Sequence, residues 1–280
     1  MTLIRFFFIL LHLINSIFLM KRHIVNKFDK KKLPLLPRVV FPGKIIVVVS
    51  EEAASLAVDF LLTQKILGID TETRPSFTRG KIYKVALLQV STYDTCYLFR
   101  LNVLANSPSV KRLLEDTTVP KIGLSLHDDM HSLSKRMTFK RGWFIDLQDI
   151  IVNLGIEDKS LAKLYANIFG ERISKREQLS NWEADVLGQK QMKYAATDAW
   201  VCINIYEEYL RLIETGDYEL EIVPEEEKET AQNEKETAQQ ETTLTETAQQ
   251  EKTQQETTLT RTETAVDEQT LSGADTAITA

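Results

Sequence analysis

Three short runs rich in β-branched and aromatic residues, Ile66 to Asp70, Lys84 to Val90 and Thr95 to Leu101, constrain the fold of this chain more than any other feature. Thr92-Tyr93-Asp94 reads as a turn between the last two, and the connections are too short for the helical crossovers that parallel neighbours require. The runs therefore predict an antiparallel three-strand meander. Ahead of it, Lys44 to Val49 is a β-branched run. Ser50 then reads as an N-cap, followed by acidic first-turn residues and apolar positions at helical spacing up to Leu62.

Helices follow the meander. Ser107 and Pro108 suit the cap and first position of a helix to Glu115, Lys121 to Leu126 reads as a strand, and a helix is expected near Asp128 to Arg136. Ser160 to Gly170 is an amphipathic helix closed by glycine, and Gln189 to Glu214 is a longer one. This order predicts an α/β fold, a mixed sheet with helices packed against it.

Composition divides the rest. Beyond Val223 there are 14 acidic and 4 basic residues against 26 and 30 before it, so a body of net +4 precedes a tail of net −10 within an overall −6. Residues 224–280 are almost wholly Glu, Thr, Gln and Ala, with short Glu-Thr-Ala-Gln and Glu-Thr-Thr-Leu repeats, and are expected to be a disordered low-complexity tail. Residues 44–223 form the expected folded domain, and 21–43 a basic, proline-dotted lead-in.

Residues 1–20 are mostly apolar but interrupted by Arg5, His12 and Asn15. Two readings stand side by side: a membrane anchor through residues 3–20, or a true start at Met20. With an anchor, the basic residues from Lys21 to Arg38 would hold the body on the cytoplasmic side. Cys96 and Cys202 lie in apolar runs without metal-ligand spacing, which fits core thiols in a reducing, cytoplasmic compartment.

Chemistry is carried by acids in three separate segments. Asp70 and Glu72 are two apart on a strand and so share a face. Asp128 and Asp129 begin a helix, where either suits a simple cap. Tyr194 and Asp198 are four apart on the long helix and share a face. Singly, each has an ordinary structural explanation. Jointly, the ordered set is far more specific, because carboxylates brought together repel and resist ionisation unless divalent cations compensate them. That combination suits metal-assisted phosphoryl chemistry.

Residues 65–210 resemble the DEDDy class of 3'-5' exonucleases, the group that includes RNase D and the Werner-type exonuclease domain, on a ribonuclease H-like fold. Gly80-Lys81-Ile82-Tyr83-Lys84-Val85-Ala86-Leu87-Leu88-Gln89-Val90-Ser91 is similar to the family's second strand, Ser160-Leu161-Ala162-Lys163-Leu164 to the helix before its third motif, and Gln178 to Glu183 to its Ser-x-Trp segment. The resemblance implies that Asp70, Glu72, Asp129 and Asp198 bind two divalent ions, Mg²⁺ or Mn²⁺, with Asp129 favoured over Asp128. It implies that Tyr194 orients the attacking water and that the substrate is DNA or RNA with a free 3' end, without a small-molecule cofactor.

Asp185-Val186-Leu187 departs from the Arg-Pro-Leu of many relatives. The acidic tail also stands where RNase D carries helical domains and Werner-type helicases carry motor domains. Arg74, Phe77, Arg79 and Lys81 form a loop of cations and one aromatic that suits phosphate contact and base stacking; the alternative has Phe77 in the core and the cations solvated. A catalytically idle module that binds nucleic acid or protein, and a membrane-tethered scaffold, are the competing functions.

Overall fold

The computed structural model describes residues 21–224, so the anchor, alternative-start and tail expectations lie outside the described residues. In chain order the elements are strands β1 (Arg22–Val25) and β2 (Lys44–Val48), helix α1 (Glu51–Leu61), and strands β3 (Leu67–Thr73), β4 (Val85–Ser91) and β5 (Thr95–Arg100). Helices α2 (Leu101–Leu104) and α3 (Pro108–Glu115), strand β6 (Lys121–Gly123), helix α4 (Leu126–Ser134), strand β7 (Phe144–Asp146) and helices α5 (Leu147–Ile150) and α6 (Leu161–Phe169) follow. The long helix α7 (Gln189–Thr215) and strand β8 (Tyr218–Glu221) complete the set.

Six strands form one mixed sheet in the order β2-β5-β4-β3-β6-β7. The β3-β4 and β4-β5 pairs are antiparallel, as the meander predicts, and β2-β5, β3-β6 and β6-β7 are parallel. Alternation along β4 explains the two-sided core. Leu88 and Val90 pack with α1, α3 and α4, whereas Leu87 packs with Leu98, Trp182 and the Tyr194–Ala196 stretch of α7. The caps read from sequence are present: the Ser50 hydroxyl accepts from the Ala53 amide at 3.3 Å, and the Ser107 hydroxyl from the Val110 amide at 3.1 Å.

Gly68 decides how close α7 comes to the sheet. A Cβ there would lie 1.9 Å from the Ala199 carbonyl oxygen, so only glycine lets α7 rest on β3.

Three boundaries differ from the sequence reading. The first meander strand continues through Thr73, which puts Asp70 and Glu72 inside it rather than at its end. Strand β6 stops at Gly123 because Ser125 takes a left-handed conformation (φ 59°), and α4 then starts at Leu126. The lead-in is not merely extended: β1 pairs in parallel with β8, and Ile24 is fully buried. Among the described residues, no helix is long and apolar enough to cross a membrane.

Candidate metal centre

Strand β3 pairs with β6 only through Leu67 and Gly68. Strand β6 ends at Gly123, while β3 runs on to Thr73 and carries Asp70 and Glu72 past it. Alternation turns Asp70 and Glu72 to one face, and α7, seated on Gly68, brings Tyr194 and Asp198 to the same face. Carboxylate oxygens of Asp70, Glu72 and Asp198 all lie within 4.8 Å of one another. They line a cavity of about 250 Å³, together with Tyr194 and, at its mouth, Lys175 and Gln178.

Asp129 comes from the first turn of α4. Its Oδ1 accepts a hydrogen bond from the Thr71 hydroxyl, and it stands outside the compact trio. Asp128, one residue earlier, is exposed. Asp146 holds the turn that delivers Asp129. Its Oδ1 accepts from the Ser125 amide at 3.0 Å and its Oδ2 from the Leu126 amide at 2.6 Å, which pins the left-handed residue before α4.

The electrostatics are those of a site built for cations. Burial, then the charges of Asp129 and Asp198, push the Asp70 carboxyl well above the usual carboxylate range. Glu72 is pushed up to about 10 by burial, then by Asp70, Asp198 and Asp129. Burial raises Asp198 to about 7, although the Tyr194 hydroxyl and the Lys175 charge pull it down. Asp129 rises to about 6 through burial, opposed by the Thr71 hydroxyl and reinforced by Asp146 and Asp128. Burial and the surrounding carboxylates raise Tyr194 too, so its phenol keeps its proton.

The donor set fits a hard divalent cation. All its ligand atoms are carboxylate oxygens, and the buried Oδ1 of Asp198 makes no hydrogen bond within the protein. Such an ion would replace mutual repulsion by attraction.

Two buried side chains hold Tyr194 and the segment before α7. The Trp182 ring, fully buried, lies 6.0 Å from the Tyr194 ring. Arg100, 2% exposed, donates to the Ala184 and Asp185 carbonyls. Neither was selected by sequence reasoning; Trp182 was visible as part of the Ser-x-Trp segment, and Arg100 ends a strand run without any local signal. Lys175 was missed as well, since one lysine in an irregular stretch carries no periodicity.

The candidate substrate loop lies beside this segment. Phe77 is 85% exposed, so it does not belong to the core, and Arg79 is exposed. Arg74 and Lys81 sit over the Tyr83 ring, 4.8 Å and 5.0 Å from its centroid, and Arg74 also pairs with Glu183 at 3.5 Å. Arg74, Phe77, Lys81, Tyr83, Leu179 and Asn181 border a surface pocket of about 390 Å³.

A mixed sheet carrying this acid set is the arrangement of a ribonuclease H-like exonuclease. Similar solved structures are the Aedes aegypti Nibbler EXO domain (TM-score 0.56, 20% identity, 69% of this chain and 94% of that one) and Escherichia coli RNase D (TM-score 0.54, 20% identity, 61% and 45%). Trypanosoma brucei RNase D, solved in complex with RNA U12, is a third (TM-score 0.54, 19% identity, 61% and 63%). The chain belongs to the 3'-5' exonuclease family, whose model matches residues 45–214.

Among curated relatives, the mouse bifunctional 3'-5' exonuclease/ATP-dependent helicase WRN is 31% identical over 194 residues, 65% of this chain and 14% of that protein. The Drosophila melanogaster exonuclease 3'-5' domain-containing protein 2 is 35% identical over 153 residues, 53% of this chain and 26% of that protein. The chain thus spans a minor part of both relatives.

Proposed function

We propose that this chain is a metal-dependent exonuclease that hydrolyses phosphodiester bonds at the 3' end of DNA or RNA and releases nucleoside 5'-monophosphates. The observation that carries the reading is the trio of Asp70, Glu72 and Asp198 carboxylates within 4.8 Å of one another, on the fold of an exonuclease family. Asp70, Glu72, Asp129 and Asp198 would hold two divalent ions, Mg²⁺ or Mn²⁺. When bound, such ions lower the pKa of a water and neutralise charge on the departing 3' oxygen.

The protein's own groups do the rest. The protonated Tyr194 hydroxyl, beside Asp198, hydrogen-bonds the attacking water and fixes its line of approach. Thr71 orients Asp129, and Trp182 keeps the phenol in place. Lys175, at the cavity mouth, brings a cation to the scissile phosphate. Phe77 stacks on a base while Arg74, Arg79 and Lys81 contact phosphates, a role its 85% exposure favours. The catalytic domain spans residues 44–223, with β1 of the lead-in paired to its last strand, in a cytoplasmic setting that the two buried free cysteines support.

The test is digestion of 3'-labelled and 5'-labelled single-stranded DNA and RNA by the full chain with Mg²⁺, Mn²⁺ or EDTA, beside Asp70→Ala. Metal-dependent shortening from the 3' end, lost in the variant, is the expected result. Absence of cleavage under every metal refutes the reading and leaves the idle binding module.

A further inference from the structure

Gln89 occupies the middle of β4, is 0% exposed, and neither its Nε2 nor its Oε1 has a hydrogen-bond partner within the protein. A buried amide with both polar atoms unpaired loses its hydration without recovering hydrogen bonds, and so destabilises a fold. Nothing in the packing of a strand demands it, because leucine or methionine would fill the same volume. Its neighbours in β4, Leu88 and Val90, are fully buried apolar residues.

Position supplies the reason. In the antiparallel β3-β4 pair Gln89 stands directly opposite Asp70, and Leu87 opposite Glu72. Directly opposed residues project to the same face with Cβ atoms about 5 Å apart. Gln89 therefore shares the sheet face of Asp70 and Glu72, the face that α7 covers with Tyr194 and Asp198. On this face Glu72 and Asp198 repel Asp70, and across the strand pair Gln89 carries the N–H donors.

We propose that Gln89 is a positioning residue for the metal centre, its side-chain amide donating to the Asp70 carboxylate when a divalent cation is bound there. The inference rests on the metal-dependent reading above and assigns the amide a task in the metal-bound state. Asp70 belongs to the trio that would bind an ion, so its oxygens would have to be held in one orientation. The Thr71 backbone amide already bonds Asp70, and the Gln89 amide supplies a further donor across the strand pair. Without the ion, neither polar atom of the Gln89 amide has a partner within the protein.

The experiment compares the full chain with Gln89→Met, which keeps volume and removes both polar atoms. Two quantities are read: melting temperature in EDTA, and Mn²⁺ affinity by calorimetric titration without nucleic acid. The metal-free variant should melt roughly 2–8 °C above the parent, since a buried unpaired amide has been removed. Its Mn²⁺ affinity should fall about tenfold or more, the loss of one charge-assisted hydrogen bond.

A lower melting temperature together with unchanged Mn²⁺ affinity would make Gln89 an ordinary packing residue and overturn the proposal. Unchanged affinity beside tight binding by the parent overturns the role of Gln89 alone. A parent chain that binds no Mn²⁺ overturns the metal-dependent reading and this proposal with it.

Discussion

Raising the pH from 6 to 8 in the presence of EDTA should destabilise the fold, and saturating Mg²⁺ should remove most of the effect. The sign follows from the acid set. Glu72 titrates near 10 and Asp198 near 7 in the metal-free fold, against 4.5 and 3.8 for the same groups when unfolded. Over this range the folded chain holds protons that the unfolded chain has released, so the stabilisation present below pH 4 is progressively lost on the way up. Asp198 contributes about 1 kcal/mol between pH 6 and 8, and Glu72, protonated throughout in the folded chain, about 3 kcal/mol. Together they predict a loss of about 4 kcal/mol, or roughly 8–16 °C in melting temperature for a domain of this size. The assay is thermal unfolding across pH 6, 7 and 8 with EDTA and with 10-fold increments of Mg²⁺. A metal-free melting temperature that is flat or rises with pH, or a slope that survives saturating Mg²⁺, would refute both the carboxylate repulsion and its relief by cations.

Three other substitutions probe separate parts of the site. Gly68→Ala must push α7 off β3, because its Cβ would meet the Ala199 carbonyl oxygen at 1.9 Å; we expect a loss of about 2–3 kcal/mol by urea unfolding, and Mn²⁺ affinity should drop as Asp198 leaves the trio. Lys175→Met should weaken binding of a nucleoside 5'-monophosphate roughly 10-fold or more while Mn²⁺ affinity is kept or improved, since one cation leaves an acidic cavity. Phe77→Ala should leave the melting temperature within about 2 °C, because the ring is 85% exposed, and raise KM for single-stranded oligonucleotides by roughly 5-fold or more; unchanged KM would end the stacking role.

The sheet was legible where a strand is apolar on both faces. Strand β4 is buried at every residue and β5 at four of six, so their runs stand out in the sequence and the turn between them fixes the antiparallel pairing. The end of β3 was not legible, since Thr71, Glu72 and Thr73 interrupt the apolar run exactly where the strand borders the acid cavity rather than the core. Among the acids, the two-residue spacing of Asp70 and Glu72 and the four-residue spacing of Tyr194 and Asp198 predict shared faces without reference to tertiary structure. Asp146 is different. Its two bonds to the Ser125 and Leu126 amides join residues about 20 apart and leave no periodic trace in the sequence. Strands of four residues in a parallel pair, such as β1 and β8, are equally silent, because neither has the length to show alternation.

Pairing of β1 with β8 also sets an order of events during synthesis. Arg22 leaves the ribosome well before its partner Tyr218, which is among the last residues of the domain to be made. At about 5–20 residues per second, Ile24 waits roughly 10–40 s for the strand that buries it. Helix α7, with Tyr194 and Asp198, is complete before that closure. The acid site can therefore assemble on the nascent chain while the ends of the domain are still apart, and the β1-β8 ribbon is the last piece to lock.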